Sequence, residues 1–282
     1  MMILVVMVIT VMLLAAASGL FAYDRAASRR DLSWLANQTN PDPDQAAVYL
    51  AYLNRHNQGR LVGGLAGILI GVVAALRWDD AWTLSIGVGT PLPGNLLVWW
   101  MAGVVVGTLA AETYRLPRRT TTRQALLEAR PPNELPLVTW VARGAALAAV
   151  ALAGLLWVTR HDASGMPSAL FAVVVVALAE ATQRAISNRP RPVGEPAVRV
   201  DGRLRWYASS SVAWLEAAGA GLALATAIGS WAARGFASTP LVAGLTVAQL
   251  ILTIGTITAI VRSRMRAPRG WVAPDHLDGV VA

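Results

Sequence analysis

Residues 99–119 read WWMAGVVVGTLAAETYRLPRR, and this stretch shows the pattern that decides the fold. A long apolar run ends in a short segment that carries three arginines. Basic residues are retained on the cytoplasmic side of a bacterial inner membrane. The stretch therefore predicts a membrane helix that ends at the cytoplasmic surface.

The same pattern extends over the whole chain as seven apolar spans. The spans cover residues 1–23, 61–76, 95–111, 137–158, 166–183, 212–233 and 240–261. The segments that follow them carry, in order, five, one, five, one, six, one and four arginines. This alternation predicts an all-α membrane protein with seven transmembrane helices, its N-terminus outside and its C-terminus in the cytoplasm.

The composition indicates a multi-pass membrane protein rather than a soluble domain, since 55% of the residues are hydrophobic and 14% are charged. The formal net charge of +8 follows the predicted topology and forms no single basic patch, so a nucleic-acid partner is not expected. All 24 basic residues are arginine and cysteine is absent, which excludes Schiff-base lysines, disulfides and thiol nucleophiles. The richness in alanine, arginine, glycine and valine fits a GC-rich genome, as in actinobacteria.

The first span, residues 1–23, has two interpretations. No basic segment precedes its apolar run, and its nearest arginines, Arg25, Arg29 and Arg30, follow the run. This order favours a retained helix that inserts with its N-terminus outside. The alanine-rich end near Ser18 leaves a cleaved signal peptide as the alternative.

The other six spans are predicted to form three related hairpins. Their exits toward the cytoplasm read LAAETYRLPRR (109–119), LAEATQRAISNRPRP (178–192) and ITAIVRSRMRAPRG (257–270). The shared arginine and proline content of these exits indicates an internal repeat. The predicted organisation is a lone first helix (1–23), a cytoplasmic connection (24–60), and three hairpins with their loops or tail at 61–136, 137–208 and 209–282.

The connection 24–60 contains a turn signal, NPDPD at 40–44, with Asp44 as the predicted N-cap of a helix. Residues 44–56 fit a short amphipathic helix that lies on the cytoplasmic membrane surface or under a partner. An ordinary helical extension that feeds the second span is the alternative.

Two sets of residues indicate packing and anchoring. Gly63, Gly67 and Gly71 recur every four residues, which lets another helix approach closely. We expect this packing within the chain rather than between copies. Tryptophans mark both ends of the fourth and sixth spans and predict anchors at the two membrane interfaces; these are Trp140, Trp157, Trp214 and Trp231.

Charged side chains inside the spans are candidates for function, because a charge in hydrocarbon is costly. Arg143 and Glu216 each follow the cytoplasmic-side tryptophan of their span by two or three residues, so they should lie at similar depth. We expect one interhelical ion pair with a structural role; an ion or proton pathway is the alternative. Glu112 and Glu180 are expected near the surface, where they balance neighbouring arginines.

Enzyme signatures are missing from the sequence. The three histidines, His56, His161 and His276, lie outside the predicted spans, and zinc-protease, serine-hydrolase and phosphatase-like motifs are absent. The outward loop 77–94 is glycine-rich, but no strand-to-helix phosphate cradle follows it. We therefore expect no catalytic residue, metal site or cofactor.

Three stretches are distinctive when taken together. They are YLAYLNRHNQGRLVGGLAG (49–67), the exit at 99–119 and ISNRPRPVGEPAVRVDGRLR (186–205). They resemble a group of actinobacterial multi-pass membrane proteins that are often encoded beside ABC-transporter genes and a GntR-type regulator. The resemblance implies an accessory or partner membrane subunit.

The expected function is that of a non-enzymatic membrane subunit that docks on a larger complex, and the resemblance implies an ABC-type exporter. Arginines on the cytoplasmic side would contact anionic lipid or acidic groups of the partner; they include Arg118, Arg119, Arg189 and Arg191. The alternative is a small-molecule transporter or channel that uses Arg143 and Glu216. A membrane enzyme is the third hypothesis.

Overall fold

The computed structural model describes residues 29–38, 40–78, 96–112, 136–188, 195–233, 239–264 and 267, and within these ranges every regular element is a helix. The α-helices are α1 (Arg29–Ala36), α2 (Pro43–Trp78), α3 (Leu96–Glu112), α4 (Pro136–Arg160), α5 (Met166–Ser187), α6 (Glu195–Ala233) and α7 (Thr239–Arg262). A 3₁₀ turn (Ala163–Gly165) joins α4 to α5. The predicted first span, 1–23, lies outside the described residues, as do the four exit arginines Arg118, Arg119, Arg189 and Arg191.

Membrane-spanning character follows from the length and composition of the helices. Five helical segments are long and apolar enough to cross a bilayer, and they lie in α2, α4, α5, α6 and α7. The apolar helix α3 has 17 residues, or about 25 Å at ~1.5 Å per residue, slightly less than a ~30 Å hydrocarbon core. The chain thus has the helices of a multi-pass membrane protein.

Helices α2 and α6 begin earlier than the sequence predicted. Helix α2 starts at residue 43 rather than 61, and α6 starts at 195 rather than 212. Residues 44–56 are therefore an extension of the second span and not a separate surface helix. Asp44 lies inside the first turn instead of capping it. The extension of α2 has one proline, Pro43, and that of α6 has one, Pro196. Both lie in the first turn of their helix, where proline is tolerated.

Helix α6 is the centre of the bundle. Of its apolar window, 78% is buried, against 28–33% in the other four membrane-spanning candidates. It packs against α3, α4, α5 and α7, and also touches α1. Small residues allow this many neighbours, because alanine and glycine keep side-chain bulk off the helix surface. The predicted boundary between residues 208 and 209 falls within this helix.

A glycine seam joins α2 to α3 in antiparallel orientation. A Cβ atom on Gly63 would meet the carbonyl oxygen of Gly103 and lie 2.8 Å from the Cα of Gly107. Gly67 and Gly71 likewise face Trp99 of α3. The predicted glycine stripe thus packs against another helix of the same chain, through the backbone of α3 at Gly63 and Gly67 and through the Trp99 side chain at Gly71.

The relative directions of the other helices follow from pairs of contacts. Helices α4 and α6 run parallel, since Arg143 contacts Glu216 and, further along both helices, Leu152 contacts Trp231. Helix α7 runs antiparallel to α6. Its residue Gln249 lies opposite Gly229, and Ser263 contacts Ser211.

Candidate functional site

Four charged side chains form what we call the lateral ion cluster: Arg143, Glu180, Arg184 and Glu216. The Nε atom of Arg143 donates to Oε1 of Glu216 at 3.3 Å, and its Nη2 atom donates to Oε2 of Glu180 at 2.7 Å. Arg184 pairs with the other oxygen of Glu180 at 3.1 Å. A pair between Arg143 and Glu216 was predicted from the sequence. In the structure these two residues are in contact, and Glu180 also contacts Arg143.

The lateral ion cluster is exposed on one side and buried on the other. The side chains of Arg143, Glu180 and Arg184 are 41%, 37% and 71% exposed, whereas that of Glu216 is 3% exposed. Glu180 does balance a neighbouring arginine, as expected, but it also bridges α4 and α5. The cluster therefore ties three helices together.

Beyond the lateral ion cluster the seam between α4 and α6 is apolar. It consists of small buried side chains from the two helices; these are Ala142, Ala146, Ala149, Ala220, Ala223 and Ala227. A path for ions or polar solutes needs polar groups or broken helices near the middle of the membrane. The alanine seam offers neither, so the geometry favours a structural role for Arg143 and Glu216.

A second group of polar side chains, the central polar cluster, lies between α2, α3, α6 and α7. At its core, Glu112 accepts a hydrogen bond from the hydroxyl of Tyr52 at 2.5 Å and pairs with Nε2 of His56. The side chain of Glu112 is 0% exposed. The arginines that Glu112 was predicted to balance near the membrane surface lie outside the described residues, and the structure shows that this carboxylate is enclosed by other helices. Residues 43–60 of α2, which precede the predicted span, cover this carboxylate.

The central polar cluster also caps the end of α7. The Ser211 hydroxyl donates to the carbonyl of Ser263 at 3.0 Å, and the Tyr207 hydroxyl donates to that of Arg264 at 2.6 Å. Arg60 Nη2 donates to the Ser263 hydroxyl at 2.8 Å. The last carbonyls of a helix have no partner within the helix, so side chains from α6 and α2 satisfy them here.

Aromatic rings hold α1 and α2 against α6 at the same place. The ring of Tyr207 lies 5.5 Å from that of Tyr52 and 6.0 Å from that of His56, both nearly perpendicular. Trp34 of α1 lies 5.8 Å from Trp206 of α6. These edge-to-face contacts pack the rings of the cluster against one another.

The N-terminal half of α6 also bonds to the end of α5, as it does to the end of α7. Arg205 donates to the carbonyl of Ile186 at 3.2 Å and pairs with Asp201 at 2.6 Å. Gln183 of α5 donates to the carbonyl of Ser209 at 2.9 Å. Helix α6 therefore caps both α5 and α7, and one segment of α6 positions the two clusters relative to each other.

The four predicted anchor tryptophans divide into two pairs. Trp140 and Trp157 on α4 are exposed on the outside of the bundle, as interface anchors require. Trp214 and Trp231 on α6 are half-buried. The indole of Trp231 donates to the carbonyl of Leu152 at 2.9 Å, and the guanidinium of Arg262 lies 5.1 Å from the Trp214 ring. Because α6 is central, its tryptophans pack against other helices.

The contacts of Tyr52 and His56 with Glu112 were not predicted from the sequence. A signal was available, since Tyr52, His56 and Arg60 recur every four residues and therefore share one helical face. The same four-residue spacing, offset from this series by one residue, recurs in Gly59, Gly63, Gly67 and Gly71. This continuity indicates one long helix with a polar half and a glycine half.

No protein-family model, curated protein or solved structure matches the chain. In the part of the chain that the structure describes, no three histidine or acidic side chains are grouped in a way that could hold a metal ion. Function must therefore be inferred from the two clusters and the pattern of arginines.

Proposed function

We propose that this chain is a non-enzymatic subunit of a larger complex in a bacterial inner membrane. The supporting observation is that the lateral ion cluster joins its charges to one another across three helices. Such pairing stabilises the bundle, which is the structural role expected of a non-enzymatic subunit. An ABC-type exporter is the proposed partner, because of the resemblance of the exits at 99–119 and 186–205.

The proposed orientation places the N-terminus outside and both clusters toward the cytoplasm, with the three related hairpins following the first helix. The arginine-rich exits follow α3, α5 and α7, and the ends of these helices contribute residues to the two clusters. Inward retention of arginine supports this orientation. The transporter alternative through Arg143 and Glu216 has less support, because an alanine seam lies beyond the pair.

Single cysteines test the orientation, and the lack of native cysteine leaves no background. In intact cells, a membrane-impermeant maleimide should label a Ser85→Cys or Ser238→Cys variant, whose cysteines lie in predicted outward loops. It should label Thr122→Cys only after permeabilisation. The reverse labelling pattern would contradict the proposed orientation.

Purification in a mild detergent tests the proposed role. A tagged chain should co-purify, at a fixed ratio, with the membrane and nucleotide-binding subunits of an exporter from its native host. An Arg118→Gln, Arg119→Gln variant should recover less of these subunits, because each arginine contributes about 1 kcal/mol at an acidic surface. Arg160→Gln, on the predicted outer side, is the control. Recovery of a lone monomer would argue against the proposal.

A further inference from the structure

We propose that the exposed side of the lateral ion cluster binds the headgroup phosphate of an anionic phospholipid, through Arg143, Arg184 and Trp140. This assignment goes beyond the proposed function. It requires that the helices lie in a membrane, but it does not depend on any protein partner.

The first argument is the uneven exposure of charge in the cluster. The two arginines are exposed, while one of the two compensating carboxylates, that of Glu216, is buried behind them. The outward side is therefore more positive than the total charge of the cluster suggests. Anionic headgroups are the negative groups that surround a membrane protein at this depth.

The second argument is depth along α4. Trp140 is 72% exposed, and an exposed tryptophan of this kind favours the level of the headgroups. Arg143 follows three residues later, which is about 4.5 Å deeper at ~1.5 Å per residue. Helical side chains tilt toward the N-terminus of their helix, so the guanidinium of Arg143 extends back toward the level of Trp140.

The third argument is the number of donors. A guanidinium has five N–H groups in a planar fork that suits phosphate oxygens. The contacts with Glu180 and Glu216 use the Nε and Nη2 atoms of Arg143, and the contact with Glu180 uses Nη2 of Arg184. The two oxygens of Glu180 hold one guanidinium each, so both guanidiniums lie at the same carboxylate. Together they can hold one phosphate between them.

The test compares lipid binding to purified protein in dodecyl maltoside, with dioleoyl-phosphatidylglycerol as the probe and native mass spectrometry as the readout. We expect retention of the lipid by the unchanged chain and about fivefold weaker binding by Arg184→Gln, which corresponds to about 1 kcal/mol per arginine. Trp140→Leu should weaken binding to a smaller extent. Arg184 suits substitution because its side chain is mostly exposed. Arg143→Gln is avoided because it leaves buried Glu216 without its cation.

Arg160→Gln is the matched control, since Arg160 is an exposed arginine at the other end of α4. It should bind the lipid like the unchanged chain. Equal losses in Arg160→Gln and Arg184→Gln would overturn the proposal, because they indicate charge attraction without a site. The proposal also fails if no lipid is retained, or if inorganic phosphate competes as well as the lipid. Neither failure affects the co-purification experiment.

Discussion

Replacing Gly63 with alanine is expected to lower the free energy of unfolding by about 2–3 kcal/mol. Alanine is the better helix former, so propensity alone predicts the opposite sign. The added methyl group would meet the carbonyl oxygen of Gly103 and the backbone of Gly107. Backbone atoms cannot rotate away as a side chain can, so α2 and α3 must separate. Denaturant titration in mixed micelles measures the change.

Gly255 provides the control for this prediction. It lies within α7, and a Cβ atom there would have no neighbour within 4 Å. Gly255→Ala should therefore leave stability unchanged or raise it slightly. If Gly63→Ala and Gly255→Ala have equal effects, the seam between α2 and α3 is not closely packed.

The glycine seam shows how far the sequence can predict packing. Four-residue spacing places Gly63, Gly67 and Gly71 on one face and requires a close neighbour. It does not say which helix is the neighbour. Gly103 and Gly107 of α3 have the same spacing, but a second copy of α2 would satisfy the pattern equally well. Only the three-dimensional arrangement distinguishes the two.

The charged residues show a different limit. Arg143 and Glu216 could be paired because tryptophans mark their depth on two parallel helices. Glu112 ends an apolar run beside arginines, which predicts its depth near the membrane surface but not its enclosure by other helices. Its burial depends on Tyr52 and His56, which belong to a segment that also reads as a loop. A long-range contact of this kind leaves no trace in the local pattern around Glu112.

The tryptophans show that the sequence predicts the position of a residue along a helix more readily than whether its side chain faces the bundle or the outside. Trp140 and Trp214 lie at matching places in their spans, yet one is exposed and the other is half-buried. The difference arises because α4 is peripheral and α6 is central. Burial of α6 on all sides is a property of the assembled bundle, and its alanine-rich sequence permits but does not dictate it.

Replacing Glu112 with leucine should destabilise the protein by about 2–6 kcal/mol, because two buried groups each lose a hydrogen bond to the carboxylate, at about 1–3 kcal/mol for each group. The change leaves the His56 ring and the Tyr52 hydroxyl without the carboxylate to which both are bonded. Both groups are buried, so water does not readily replace the lost bonds. The midpoint of thermal unfolding in detergent, followed by size-exclusion chromatography, should fall sharply.

Two further variants show whether the loss of stability in Glu112→Leu comes from lost hydrogen bonds to buried polar groups or from the change in side-chain volume. In a Glu112→Leu, His56→Leu, Tyr52→Phe chain the polar groups disappear together, so most of the loss should be recovered. Glu180→Leu removes a partly exposed carboxylate with arginine partners, and surface pairs contribute about 1 kcal/mol or less. A triple variant less stable than Glu112→Leu, or an equal loss in Glu180→Leu, would contradict this account. We therefore expect the loss of Glu112 to lower stability more than the loss of Glu180. Both are carboxylates, so the difference arises from the burial of Glu112 and its partners rather than from its charge.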